Sequence, residues 1–484
     1  MMNDAIIWVI IIPLLGSLIS ITWSRYASLV AITSNLLALA ASIVIVNEVY
    51  RSGPFIHELG GWQAGLGISL RADALSSVLL LMSMLVVTAA SFYASTYFTE
   101  AVKRARFWPL WLMLVVALNA LLLSGDLFNL YVTLELLGLS AVALTALSDN
   151  RAALLAAIRY LSIGLLGSLV FLAGVALVYM GFGTLDLLAL SSKVDASPLS
   201  QVALSLMTAG LLIKSALFPL HFWLPSAHAS APAPVSAALS ALVVKVAVYI
   251  LLRLWLDVFD QVLTPLSAML LGTLGAIAVI WGSWQALQAQ RLKLMAAYST
   301  VAQIGYLFIF LPLIVALPEG SLKDAAFTAL LLMALTHGFA KSAFFLSAGV
   351  IQQYCGHDRI AELAGTARAL PLTTFVIALS GVALIGLPPS GSFIGKWYLI
   401  SSSIHAGQWW WVPVIAVGSI LATAYVFRIL GYAFGPRESV GRLLNWGRQE
   451  IPALILALFA TLILGFGSAG LWDLVSQHSN FAGI

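Results

Sequence analysis

TAGLLIKSALFPLHFWLPSAHASAPAPVSAALSALVVKVAVYI, residues 208–250, is an apolar run that carries Lys214 and Lys245, His221 and His228, and the prolines 219, 225, 232 and 234. A charge at the centre of a lipid-facing helix costs at least about 2.5–3.5 kcal/mol on insertion scales. Both lysines are therefore expected to face protein or water rather than hydrocarbon. Proline removes a backbone donor, so the segment after Lys214 is expected to unwind, which a membrane tolerates only where backbone lines a cavity. The stretch predicts a broken transmembrane helix beside a polar interior.

The rest of the chain agrees. Of its 484 residues, 61% are hydrophobic and 9% charged, against roughly 45–50% apolar and 25% charged in ordinary globular chains. Lipid is the implied solvent. A soluble enzyme, a secreted scaffold and a nucleic-acid binder are excluded on that ground. No G-x-G-x-x-G fingerprint, Walker motif or basic-aromatic groove occurs, so no nucleic acid is expected as a partner. Energy must then come from an ion gradient or a partner subunit. The single cysteine, Cys355, excludes an internal disulfide and a cysteine-rich cluster. His221, His228 and His337 lack acidic or cysteine neighbours at ligand spacing, and no metal or cofactor is expected.

Apolar runs of about 20 residues predict an all-α polytopic fold with fourteen crossings, approximately 5–22, 27–50, 75–97, 107–124, 127–148, 158–180, 203–224, 232–256, 261–284, 294–317, 323–350, 369–404 with a break, 409–434 and 452–474. With connections this short, residues 1–484 form one integral membrane domain. The first run has Asp4 and no basic residue ahead of it, so it reads as a retained helix rather than a leader. Alternating the loops across the membrane puts 14 basic residues on one side, among them Arg25, Lys103, Arg104, Arg106, Arg291, Lys293, Arg359, Arg437 and Arg442. The other side takes 5: Arg51, Arg71, Lys193, Arg253 and Lys323. By the positive-inside rule both termini are expected on the non-cytoplasmic face of the membrane. Trp108 and Trp111, beside the basic cluster 103–106, and Trp409 to Trp411 are expected at interfacial depth.

Four lysines remain inside apolar runs: Lys214, Lys245, Lys341 and Lys396. Glu135 stands within the run 128–146, with Asp126 at its start. Glu135 and Lys214 form the natural pair. Mutual attraction favours their charged forms while desolvation favours the neutral ones, and opposed influences leave a pair switchable. Lysine suits a proton relay because its affinity shifts on burial, where arginine stays charged. Structural ion pairs that fix helix registry are the competing account. His221 and His228 are candidate bridges between Lys214 and Lys245, or neutral hydrogen-bonded polar groups. His337 and Lys341 in THGFAKSAFF lie four apart and share a helical face, with snorkelling of Lys341 from a helix end as the alternative.

A second break is expected at Pro388, Pro389, Gly391 and Gly395, just before Lys396. Broken helices in corresponding positions point to inverted repeats, one over 107–256 and one over 261–434, with five helices each.

Together, GDLFNLYVTLE (125–135), KSALFPLHFWLPSAHASAPAPVSAALSALVVKVAVY (214–249), RLKLMAAYSTVAQIGY (291–306), THGFAKSAFF (336–345) and GLPPSGSFIGKW (386–397) resemble the antiporter-like subunits shared by multisubunit cation/proton antiporters, respiratory complex I and membrane-bound hydrogenases. GDLFNLY looks like the D subunit of Mrp-type sodium/proton antiporters. Thr133, Leu134 and Ser226 depart from the pattern of relatives. The resemblance implies a fourteen-helix proton-translocating subunit, not itself an enzyme, with two inverted five-helix repeats and a polar axis at mid-membrane. Glu135 then gates Lys214, Lys245 passes protons onward, His337 and Lys341 match a histidine/lysine region, and Lys396 exchanges with one aqueous side. It also implies assembly with A-like and C-like antiporter subunits, with protons and sodium as the transported ions. A proton-pumping subunit of an NADH-quinone oxidoreductase-like or hydrogenase complex is the alternative.

Overall fold

The computed structural model describes residues 4–61, 67–436 and 447–477. Arg437 and Arg442, counted above among the basic loop residues, lie outside the described residues.

The polypeptide is helical almost throughout. Its elements are α1 (Ala5–Thr22), α2 (Ala27–Ser52), α3 (Ala74–Tyr97), α4 (Ala101–Leu122), α5 (Leu127–Ala146), α6 (Arg151–Phe182), α7 (Pro198–Lys214), α8 (Leu224–Ser230) and α9 (Ala233–Val258). There follow α10 (Pro265–Gln288), α11 (Leu292–Ala316), α12 (Ser321–Cys355), α13 (Pro371–Ile385), α14 (Gly391–His405), α15 (Trp411–Ala433), α16 (Gly447–Phe466) and α17 (Ser468–Gln477). Among the described residues twelve helices are long and apolar enough to cross a membrane, and α7 and α13 are shorter apolar helices. The chain is an all-α, multi-pass membrane protein.

Local chemistry sets the helix starts. Asp126 accepts the Asn129 N–H at 2.9 Å and Asn150 accepts that of Ala153 at 2.9 Å, so each caps orphan donors at the head of α5 and α6. At α3, Asp73 and Ser76 exchange bonds of 3.0 and 2.9 Å in a reciprocal box. Ser197 before Pro198 and Thr264 before Pro265 place a cap ahead of a proline in the first turn.

The layers follow from which helices are apolar all round. Nearly every residue of α9 is buried, as is the stretch of α12 from Ala326 to Ile351, so these two form the centre. By contrast α1 and α2 turn Trp8, Leu18, Ile21, Leu29 and Leu37 outward, each at least half exposed, as expected for a lipid-facing edge. Between α10 and α11 the backbones touch: a Cβ on Gly275 would stand 2.6 Å from the Gly305 carbonyl oxygen.

Several expectations need correction. The segment 203–224 is not one helix: α7 ends at Lys214, residues 215–223 turn irregularly, and α8 restarts at Leu224. The unwinding expected there from Pro219 and Pro225 is present, and the second break falls at 386–390, between α13 and α14. The last predicted helix, 452–474, is two, α16 and α17. Lys341 is not near a helix end. It sits in the middle of the 35-residue α12 with no exposed surface, which removes the snorkelling alternative. Trp108, Trp111 and Trp411 pack into the protein and are buried, whereas Trp409 and Trp410 are exposed; the Phe107 ring stacks on Trp111 at 5.2 Å. Finally, the polar stretch after α2 contains a two-stranded antiparallel hairpin, β1 (Phe55–Glu58) and β2 (Ser69–Ala72), with Ile56 opposite Arg71.

Candidate functional site

Four buried lysines, Lys214, Lys245, Lys341 and Lys396, occupy three stations in the helix bundle. At the first, α7 ends on Lys214, whose ammonium lies 3.5 Å from the Glu135 carboxylate of α5. Ser168 of α6 donates a short hydrogen bond to the same carboxylate. Lys214 rests against backbone: a Cβ on Gly138 would stand 3.4 Å from its Nζ. The pairing expected from the sequence is thus present, with Ser168 as an unanticipated third member. Ser168 is one hydroxyl among many, and nothing in the sequence distinguishes it.

At the second station α9 departs from regular helix. Residues Leu239–Val243 form a π-helical turn, a feature common at functional sites because it frees backbone carbonyls. Lys245 uses two of them, donating to Ser240 O at 3.1 Å and Ala241 O at 2.8 Å. Across the gap, Lys341 of α12 donates to Ala296 O of α11 at 2.8 Å and, in a short bond, to the Ser299 hydroxyl. His337, one turn earlier on α12, lies within electrostatic range of Lys245, Lys341 and His228. Among the described residues both ring nitrogens of His228 and both of His337 are buried without a hydrogen-bond partner. Such orphaned groups call for an explanation, and a place for water is one. His228 stacks on Phe345 at 5.4 Å and faces Lys341, Lys293 and Lys245. It therefore belongs to the central cluster instead of spanning the gap between Lys214 and Lys245.

At the third station Lys396 of α14 folds back over the second break. It donates to Ile385 O at 2.8 Å and to the Ser419 hydroxyl of α15 at 2.8 Å, and its Nζ lies 4.6 Å from the Tyr306 ring centroid. Gly386, at φ +84°, leaves room for it: a Cβ there would meet Lys396 Cδ at 2.8 Å.

His221 is not brought into this array. It sits half-buried in the unwound segment, stacked on Phe218 at 5.5 Å, and among the described residues no hydrogen bond ties it to Lys214, Lys245 or His228. Two other basic residues, counted from sequence as loop charges, are buried. Lys293 is 2% exposed and donates a short bond to Ala231 O. Arg253, 5% exposed, bonds Asp73 at 2.5 Å and Asp257 at 2.9 Å, while Arg71 of the hairpin reaches Asp73 at 3.2 Å. Burial alone would raise the Asp73 carboxyl, but Arg253 and Arg71 together hold it well below the usual carboxylate range. This four-charge cluster ties the hairpin to the end of α9. Among the described residues no group of three or more His, Cys, Asp or Glu side chains is placed to hold a metal ion.

The sequence matches the family described as NADH:quinone oxidoreductase/Mrp antiporter, TM, over residues 124–422. It is 35% identical over 463 residues to the NADH-quinone oxidoreductase N subunit of Desulforudis audaxviator (strain MP104C), covering 92% of this chain and 89% of that one. Identity is 27% over 476 residues to the Na(+)/H(+) antiporter D subunit of Alkalihalophilus pseudofirmus, covering 96% of this chain and 94% of the relative. A chain of the membrane-bound sulfane sulfur reductase, an archaeal respiratory membrane complex, superposes with a TM-score of 0.91 at 26% identity, covering 99% of this chain and 98% of its own.

Proposed function

We propose, given that this chain belongs to the NADH:quinone oxidoreductase/Mrp antiporter family of membrane proteins, that it is the proton-translocating subunit of a multisubunit sodium/proton antiporter. One observation carries this: lysines are buried at three stations of the membrane interior, each bonded to a carboxylate, a hydroxyl or freed carbonyls. Registry alone calls for a single pair. A succession of titratable amines beside orphaned histidines is what a proton relay needs.

In this account the two broken helices and the twelve long ones make fourteen crossings, with inverted repeats over 107–256 and 261–434 and both termini on the non-cytoplasmic face. Glu135 gates Lys214. Rearrangement of that pair, together with changes in hydration, switches proton affinity along the array. Lys245 receives the proton and passes it to His337, Lys341 and His228, and Lys396 exchanges it with one aqueous side; His221 lies at the rim of the first break. A-like and C-like antiporter subunits complete the assembly, and sodium is the countertransported ion. The test is coupled transport by the complete assembly in proteoliposomes. Lys214→Ala and Lys245→Ala should each abolish it while assembly survives, and undiminished transport in Lys245→Ala would reduce the array to packing.

A second reading is favoured by the 35% identity to an oxidoreductase subunit and the superposition on a respiratory complex: the same relay driven by a redox reaction in partner subunits. Purification of the native assembly separates the two. Iron–sulfur and quinone-site subunits support the redox-driven complex, and small antiporter subunits support the first account.

A further inference from the structure

Lys293 is unused by the relay described above, yet it is a buried lysine at the floor of a cavity. The cavity, about 220 Å³, lies between α6, α8, α11 and α12, and its walls include Tyr97, Asn150, Ser230, Arg291 and Lys293. A second cavity of about 290 Å³ shares Tyr97, Ser148, Asn150 and Pro232 with it and opens toward Glu100 and Lys103, themselves paired at 2.8 Å. The two adjoin along these shared residues and together make a polar vestibule beside Arg291. Such a volume accommodates several waters, since one takes about 30 Å³ of liquid.

The floor of the vestibule is where α8 passes into α9. Lys293 donates to Ala231 O, and His228, one turn earlier on α8, lies within electrostatic range of it. Around Lys293 stand Arg291 and Asp358: the carboxylate accepts Arg291 Nε at 2.7 Å and the Lys293 backbone N–H at 3.4 Å. With Asp358 bonded to Arg291, the Lys293 side-chain hydrogen bond among the described residues goes to a carbonyl. That arrangement repels a metal cation from the floor and leaves the amine free to exchange a proton.

We infer that Lys293 is the proton-intake residue of this vestibule, passing protons from its water to His228 and so to the central lysines. A neutral Lys293 amine takes a proton from hydronium, leaving water. The ammonium then gives a proton to a lone pair of the His228 ring and returns to the neutral amine. The inference rests on the proposed relay function and adds an entrance to it.

The test uses the complete assembly with Cys355→Ser as background. Lys293→Cys should lower coupled transport about a hundredfold, the low end of what removing a positioned proton-transfer group costs. Treatment with 2-aminoethyl methanethiosulfonate, which attaches a primary amine through a disulfide, should restore most of it, and the neutral ethyl reagent should not. Background assembly given the same reagents controls for other thiols. Wild-type transport in Lys293→Cys, failure of the reagent to reach the thiol, or amine attachment without rescue each overturns the inference. Should Lys293→Cys not assemble, Lys293→Arg decides: it keeps the charge and the donor but does not release a proton, and normal transport overturns the proposal. Loss in Lys245→Ala alongside normal Lys293 variants would discard the entrance and keep the relay, whereas normal Lys245→Ala transport would discard the relay itself.

Discussion

Gly386 makes the tightest quantitative claim on the third station, because two independent effects coincide there. Its φ of +84° lies in the left-handed region, and a Cβ would sit 2.8 Å from Lys396 Cδ and 3.3 Å from Lys396 Nζ. The backbone effect of Gly386→Ala is about 1–2 kcal/mol for an L-residue in that conformation. Carbon atoms pack at about 3.5–4.0 Å, so the lysine must also retreat by roughly 0.7 Å or more. Its bond to Ile385 O, now 2.8 Å, would then stretch to the edge of the hydrogen-bonding range. A charged hydrogen bond contributes about 1.5–3 kcal/mol, so the full loss is about 2.5–5 kcal/mol, part of it borne by the placement of Lys396.

Two controls separate the parts. Gly407, at φ +70°, has nothing within 4 Å of its missing Cβ, and Gly431 in α15 likewise faces open space at an ordinary helical φ. Thermal unfolding of the purified assembly should therefore rank Gly431→Ala near wild type, Gly407→Ala lower by the backbone effect, and Gly386→Ala lowest. Coupled transport should fall only in Gly386→Ala. Equal stability of Gly386→Ala and Gly407→Ala, with transport intact in both, would refute the packing of Lys396 on this glycine.

At the first station, Glu135→Gln removes the charge facing Lys214 while Ser168→Ala removes one donor to it; transport assays should show near-complete loss in the former and partial loss in the latter, and the reverse ranking would sink the gate. Asp73→Asn leaves Arg253 and Arg71 short of a buried counter-charge and should destabilise the hairpin end by about 3–5 kcal/mol, read as a lowered unfolding midpoint. Because the Asp73 carboxyl is held below its unfolded value of about 3.9, its contribution is complete above that pH and is lost as the pH falls toward the folded value. Acid-induced loosening of the strands 55–58 and 69–72, followed by hydrogen exchange, should therefore begin below about pH 4 in wild type and be blunted in Asp73→Asn. Exchange in Lys396→Glu should show opening near 385–391, since an ionised carboxylate has no hydrogen to give the Ile385 carbonyl; unchanged protection there would contradict the observed bond.

How legible each part was depended on where its charge stood. Glu135, Lys214, Lys245 and Lys396 interrupt long apolar runs, and the insertion cost of a charge marks such positions without any knowledge of contacts. Lys293 and Arg253 stand at the ends of apolar runs, where a long side chain ordinarily reaches water; only the packing of α8 and α9 around one, and of the hairpin around the other, encloses them. The hairpin itself had too few residues to announce a strand pattern. Trp108 and Trp111 illustrate the same limit in reverse. Which face of a helix turns inward depends on partners distant in sequence, here the surroundings of Phe107 and α3, where the Trp111 indole donates to Ser91 at 2.9 Å. The breaks were legible because proline and glycine act on the backbone locally.

The three stations differ in a way that bears on which part moves. Lys245, Lys341 and Lys396 donate to carbonyl or hydroxyl oxygens, and an amine donates to such acceptors whether or not it carries an extra proton. Their geometry is therefore compatible with both protonation states, so in the proposed relay a proton passes without the backbone having to follow. Lys214 faces a carboxylate, and an attraction of two full charges in a poorly solvated setting exists only while both are ionised. It stands next to the unwound segment 215–223, and in the proposed relay that helix end responds when either charge is lost. In the proposed relay the pair at α5 and α7 is thus the element that converts proton occupancy into movement, and the remaining lysines carry the proton through a frame that stays still.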